Sequence, residues 1–358
     1  MLTVLSINNC FKTRGMLSMN KENVFSSTDP IFWDFYEKER SKLACLIECK
    51  KNVWINFKFL LDFPKLLNFK FRLNYFRSKA YELLSREELE INIDASKISF
   101  EKLSNKTNKE WLRKFHIHFD NQEGCDCGGL TKEFFSLISK ELFKSDYALF
   151  VQKDNLSFHP NSLSSINEEH IDFFYFTGKL IARALIGGIT INADLTKSFC
   201  RQILTGKVKF EDLKDFDHTI YDNFQVLLKE DADQLYLGFA YTYDEYGQVK
   251  TCLLKDKNNE NEGEEQNNND NDEEIPVNNE NKVEYVRLYT DNILRKSVVD
   301  QMDAFREGFY SLMPSELIEM FSPSELNQLI CGSSQIDVSD FKQNVEFRYP
   351  YSSSHEVI

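Results

Sequence analysis

The chain has 358 residues, 42% of them hydrophobic and 14% aromatic, with 31 Phe, so it can build a sizeable core and is too apolar for a mostly disordered chain. Of its formal net charge of −14, residues 256–274 carry −8 through nine acids and one Lys, and nothing elsewhere resembles the basic stripe of a nucleic-acid-binding surface. No apolar run reaches the ~18–20 residues that span a bilayer, residues 1–27 hold no signal-peptide core, and eight cysteines in such a chain read as reduced thiols. A cytoplasmic or nuclear protein without a membrane span is expected.

Residues 1–30 are polar and without a sustained period, and read as a tail. From Pro30 to Ser85 the pattern is helical: Tyr36, Leu43, Leu46 and Ile47 recur at near-helical spacing, and Leu73, Phe76, Tyr81 and Leu84 follow Pro64. Ile91 with Ile93, Ile98 with Phe100, and Phe115, Ile117 and Phe119 alternate as short strands do. The last of these places His116 and His118 on one face. Helices are predicted over about 131–143, with Phe134, Leu137, Ile138 and Leu142 buried, and over 170–186, with Phe173, Phe174, Thr177 and Leu180 recurring. Further helices are expected over 195–205 and 217–230, and strands over 236–243 and 248–254. The tract 256–274 is of low complexity and reads as an insertion in a surface hairpin loop, either a tolerated expansion or an acidic docking segment, the former being favoured. A long helix is predicted from Lys282 to Met313, ended by Pro314, followed by short helices near 315–320 and 324–329, the second opening on a capped Ser-Pro-Ser-Glu turn.

Motif chemistry alone names no active site. Cys45 and Cys49 could share one helix face, but a zinc site wants four ligands; packing thiols are the better reading, and the same holds for Cys125 and Cys127. His116 and His118 are either a ligand pair or the wet face of an edge strand, the latter favoured. No metal and no cofactor is expected. Glu123–Gly129 lies between a strand and a helix but lacks the spacing of a phosphate loop; Gly128 and Gly129 read as a sharp turn, and Gly187-Gly188 as a helix stop.

Phe119–Phe143, F-D-N-Q-E-G-C-D-C-G-G-L-T-K-E-F-F-S-L-I-S-K-E-L-F, resembles the HECT-domain signature of ubiquitin-protein ligases. In the family's order there follow F-x-x-T-G-K-L-I-A-R-A-L at Phe174–Leu185, I-P-V-N-N-E-N-K-V-E-Y-V-R-L-Y at Ile275–Tyr289, and Q-M-D-A-F-R-E-G-F at Gln301–Phe309. S-E-L-N-Q-L-I-C-G at Ser324–Gly332 and the terminal Y-S-S-S-H-E-V-I complete the series. The resemblance implies an α+β, predominantly helical N-lobe with a small mixed subdomain carrying β-hairpins. Residues 1–62 would be a tail and helical extension, and 63–358 an incomplete HECT domain whose small subdomain spans about 194–281.

In this family the N-lobe binds a ubiquitin-conjugating enzyme and a second lobe takes ubiquitin onto a cysteine, as a thioester, before passing it to substrate lysines. The resemblance therefore implies a conjugating enzyme and ubiquitin as partners, with substrate proteins unspecified. It also implies that no catalytic residue lies in this chain, which stops before the cysteine-bearing lobe. Thr251-Cys252-Leu253 echoes the acceptor motif but falls where the family has a strand. A conjugating-enzyme scaffold without catalysis is the alternative function. Asp244-Glu245-Tyr246-Gly247 is similar to the family's Asp-x-Phe-Gly hairpin, making Tyr246 the foremost docking residue; a merely half-exposed hairpin aromatic is the bland reading. Phe199, Leu204, Tyr221 and Phe224 lie on the helices forming the same groove, their facing left open. His159 stands where the family usually has Asn.

Overall fold

The computed structural model describes residues 69–94, 100–120, 128–255 and 275–332. The helix expected around Tyr36–Ile47, Ile98, the cysteines at 45, 49, 125 and 127, and the acidic tract lie outside the described residues.

The elements in chain order begin with α1 (Phe69–Leu83), β1 (Glu88–Ile93), α2 (Glu101–Ser104), α3 (Asn108–Trp111), β2 (Lys114–Phe119) and α4 (Gly129–Leu142). Then come β3 (Phe150–Gln152), β4 (Phe158–Pro160), α5 (His170–Ile186), α6 (Lys197–Thr205), α7 (Leu213–Phe216) and α8 (His218–Lys229). The series closes with β5 (Ala240–Glu245), β6 (Gln248–Leu253), α9 (Lys282–Leu294), α10 (Val299–Tyr310), α11 (Ser315–Ile318) and α12 (Pro323–Cys331). The strands form three separate pairs: β1–β2 parallel, β3–β4 antiparallel, β5–β6 antiparallel. This is a mixed α+β, mostly helical fold.

Two hydrophobic cores organise it. The larger gathers α1, β1–β2, α4–α6, α10 and α12 around α5. From Phe176 to Ile186 every residue of α5 is buried, as its nearly all-apolar text requires of a central helix. Gly178 on α5 and Gly308 on α10 let the two helices pack with backbones almost in contact: a Cβ on Gly178 would overlap the Phe305 carbonyl, and one on Gly308 would overlap that of Tyr175. The smaller core is drawn from residues 208–294 and centres on Phe224, Leu227, Phe239, Tyr285 and Val286.

Several expectations hold and others are corrected. α5 has the predicted bounds, and Ile91, Ile93, Phe115, Ile117 and Phe119 all point inward. Gly128 adopts φ +97° ahead of α4, Gly188 φ +66° after α5, and Ser322 and Glu325 form a reciprocal capping box at α12. Tyr81, however, is 75% exposed. α1 buries Phe76 as expected, but with Arg72 and Ala80 beside it, because Arg72 finds a partner inside: its guanidinium donates to Glu325 Oε1 and Oε2 at 2.5 and 2.8 Å and to the Met320 carbonyl at 2.7 Å. Phe100 is not in a strand; its ring packs edge-on against Tyr147, Phe173 and Phe176. The strand expected from Tyr236 begins only at Ala240, since Tyr236 takes φ +50°.

The long helix expected from Lys282 to Met313 is two. It breaks at Arg295 (φ −121°, ψ −60°), where the chain leaves the small core for the large one. The freed Leu294 carbonyl accepts from Gln202 Nε2 at 2.8 Å, which satisfies a buried acceptor that the helix no longer covers. Pro314 follows the last amide bonded back into α10, Met313 to the Phe309 carbonyl at 3.0 Å, and itself stands at the N-cap position of α11.

Candidate docking surface

The five residues singled out by sequence separate once folded. Phe199 is fully buried in the large core, its ring 5.0 Å from Phe305 and 6.0 Å from Phe150; it faces inward and offers no surface. Phe224 is likewise buried, edge-on to Tyr289 and Tyr285 at 4.9 and 5.9 Å in the small core. Leu204 is half-buried and packs on the large core. Tyr221 is half-buried on the small one, stacked on Phe210 at 5.0 Å with its hydroxyl accepting from Gln225 Nε2 at 3.0 Å. Spacing on α6 and α8 could not separate these faces, because each helix is amphipathic around a different core.

Tyr246 is the surface residue of the set, 60% exposed. It sits at the tip of the β5–β6 hairpin, where Glu245 pairs Gln248 across a two-residue turn. Tyr246 and Gly247 both take positive φ, +55° and +83°, the turn whose twist suits a hairpin. Asp244 Oδ1 accepts from the Gly247 amide at 2.7 Å and fixes it. A tyrosine in the left-handed region costs roughly 1–2 kcal/mol, so the ring is held outward at some expense. At its base the hairpin is anchored through Tyr241, edge-on to Tyr289 at 5.6 Å, and through Phe239, edge-on to Tyr285 at 5.4 Å. Tyr236, 95% exposed and also left-handed, was hidden in the sequence by its resemblance to strand text.

The two cores meet through polar pins. Asp212, fully buried, takes a two-pronged bond from Arg201 at 2.6 and 3.0 Å and the Lys209 amide at 2.9 Å. His159 is buried with Nδ1 2.8 Å from Thr196 Oγ1 and its ring 4.9 Å from Phe216. Burial, aided by nearby Lys153 and against the Leu294 carbonyl, pushes its pKa down to about 3, so it is a neutral packing group. The Lys153 ammonium sits 3.5 Å from the Phe216 ring centroid.

No thiolate nucleophile is prepared among the described cysteines with perturbed thiols. Burial pushes Cys200 well up, and partial burial beside Asp194 pushes Cys331 up to about 11. Cys252 lies in β6 opposite Tyr241, a strand residue as its context implied. His116 and His118 share the outward face of β2, rings 4.7 Å apart. Among the described residues no group of three or more His, Cys, Asp or Glu could hold a metal, and no helix is long and apolar enough to cross a membrane.

Fold and surface thus define a helical α+β domain with two cores and an aromatic-tipped hairpin on the smaller. Residues 136–358 match the model of the HECT-domain (ubiquitin-transferase) family, and the chain belongs to that family. It is 33% identical to an E3 ubiquitin-protein ligase TOM1-like of Neurospora crassa over 91% of this chain and 8% of that protein. To the E3 ubiquitin-protein ligase ptr1 of Schizosaccharomyces pombe it is 32% identical, over 91% of this chain and 10% of the relative. To the E3 ubiquitin-protein ligase HUWE1 of Mus musculus it is 30% identical, over 84% and 7%. The chain spans a tenth or less of the length of these relatives.

Proposed function

We propose that this chain docks a ubiquitin-conjugating enzyme, so that ubiquitin can pass through a cysteine thioester to substrate lysines. In this reading 63–358 belong to the HECT domain and the small subdomain of about 194–281 is the docking unit, its hydrophobic core reaching on through α9. The observation that carries it is Tyr246: a large aromatic, 60% exposed, on a tight two-residue turn at the end of a hairpin anchored in its own core. A large exposed ring with few rotamers to lose is what an interface hot spot favours. Tyr221 and Leu204 are the remaining half-buried candidates for the proposed surface, while Phe199 and Phe224 are buried in the large and small cores and take no part in it.

Titrating the chain calorimetrically against a panel of ubiquitin-conjugating enzymes tests this. At least one should give a saturable complex with one-to-one stoichiometry; no heat with any of them would overturn the proposal.

A further inference from the structure

The Tyr246 hydroxyl donates to the Leu163 carbonyl at 3.1 Å, a bond between residues 83 apart in sequence. Its donor belongs to the small core's hairpin, and its acceptor to a loop of the large core. That loop is tied to the large core on either side of Leu163. The Asn161 amide and side chain donate to the Leu149 and Ala148 carbonyls at 2.9 and 2.8 Å. Asn167 Nδ2 donates to Tyr147 O at 3.1 Å, and Gln301 Nε2 on α10 to Ser164 Oγ at 3.0 Å. The hairpin, by contrast, is a two-stranded ribbon, which has little stability of its own.

Two other polar ties between the cores, Arg201–Asp212 and Gln202–Leu294, lie beside the two stretches where the chain crosses from one core to the other, near Gly206 (φ +66°) and Arg295. They form a pivot. Tyr246 sits at the far end of six-residue strands, roughly 17 Å from the hairpin base by strand rise, where a single bond acts on a long lever.

We propose that the Tyr246 hydroxyl is a clasp that closes the hairpin tip onto the large core and restrains the small core from swinging about the 206 and 295 crossings. The ring stays exposed while its hydroxyl is tied, so the clasp sets the direction in which the ring is presented. That last consequence rests on the docking reading; the clasp itself does not.

The test is hydrogen exchange on the free chain, native against Tyr246→Phe, which keeps the ring and removes the donor. Loss of one such bond corresponds to about fivefold in the opening equilibrium. Amides at the hairpin tip, Gly247–Val249, and those of Ile166 and Asn167 in the acceptor loop should exchange about fivefold faster together, with α5 and α10 unchanged. Unchanged exchange at 166–167, whether or not the hairpin accelerates, would overturn the clasp. Because no partner is present, that outcome is independent of whether any conjugating enzyme binds.

Discussion

Gly178→Ala is expected to destabilise the chain by about 3 kcal/mol, the upper part of the range for overpacking, read as a fall in the urea midpoint at unchanged slope. An added Cβ there would overlap the Phe305 carbonyl oxygen and stand 2.8 Å from the Phe309 amide nitrogen. Both obstacles are backbone, so no rotamer change relieves them, and α5 and α10 would have to separate. Separation opens the contacts of Phe174, Phe305 and Phe309, all fully buried. Alanine's better helix propensity returns only about 1 kcal/mol. Gly129→Ala is the control: it lies at the start of α4 with nothing within 4 Å of its would-be Cβ, and should be neutral or slightly stabilising. Equal midpoints for the two variants would refute the close helix pair.

Arg72→Ala should cost about 2–3 kcal/mol, somewhat less than a fully buried pair because the Glu325 side chain is 23% exposed. The substitution removes a guanidinium that ties α1 to α12 and to the Met320 carbonyl and strips the Phe321 ring of its cation at 5.7 Å. It also changes the acid limb. Burial would raise the Glu325 carboxyl, but the Arg72 bond and the Ser322 backbone outweigh it and hold the group below its ordinary 4.5. A carboxyl lowered in the folded state contributes stability that is present above its unfolded value and lost as pH falls through the folded one. The native chain should therefore lose stability below about pH 4.5, and the variant should lose less over that interval. Parallel acid limbs would mean the ion pair contributes nothing there.

Local rules carried far where a segment faces a single environment. Helix α5 was legible residue for residue because an apolar run between His170 and the Gly187-Gly188 stop has one reading. The alternation of Phe115, Ile117 and Phe119 likewise placed β2 on the core. Where two environments meet, the rules failed. Lys282–Met313 has a continuous helical period, and its break at Arg295 comes from two cores competing for one segment, with Gln202, 92 residues away, satisfying the freed carbonyl. Arg72 reads as a polar position of α1 until Glu325, 253 residues on, draws it inside. At the surface, Tyr246 was brought forward by the likeness of Asp244–Gly247 to the family's Asp-x-Phe-Gly hairpin, not by any local rule. Phe199 and Phe224 could not be assigned to an inward or outward face without knowing that α6 and α8 serve different cores.

The measurement that bears most directly on the docking account is the affinity of native chain and Tyr246→Ala for the conjugating enzyme that binds best. The account predicts a loss of about 2 kcal/mol, near thirtyfold in Kd, with an unfolding midpoint close to native because the ring is exposed and its one bond to Leu163 contributes only about 1 kcal/mol. An unchanged affinity would contradict it.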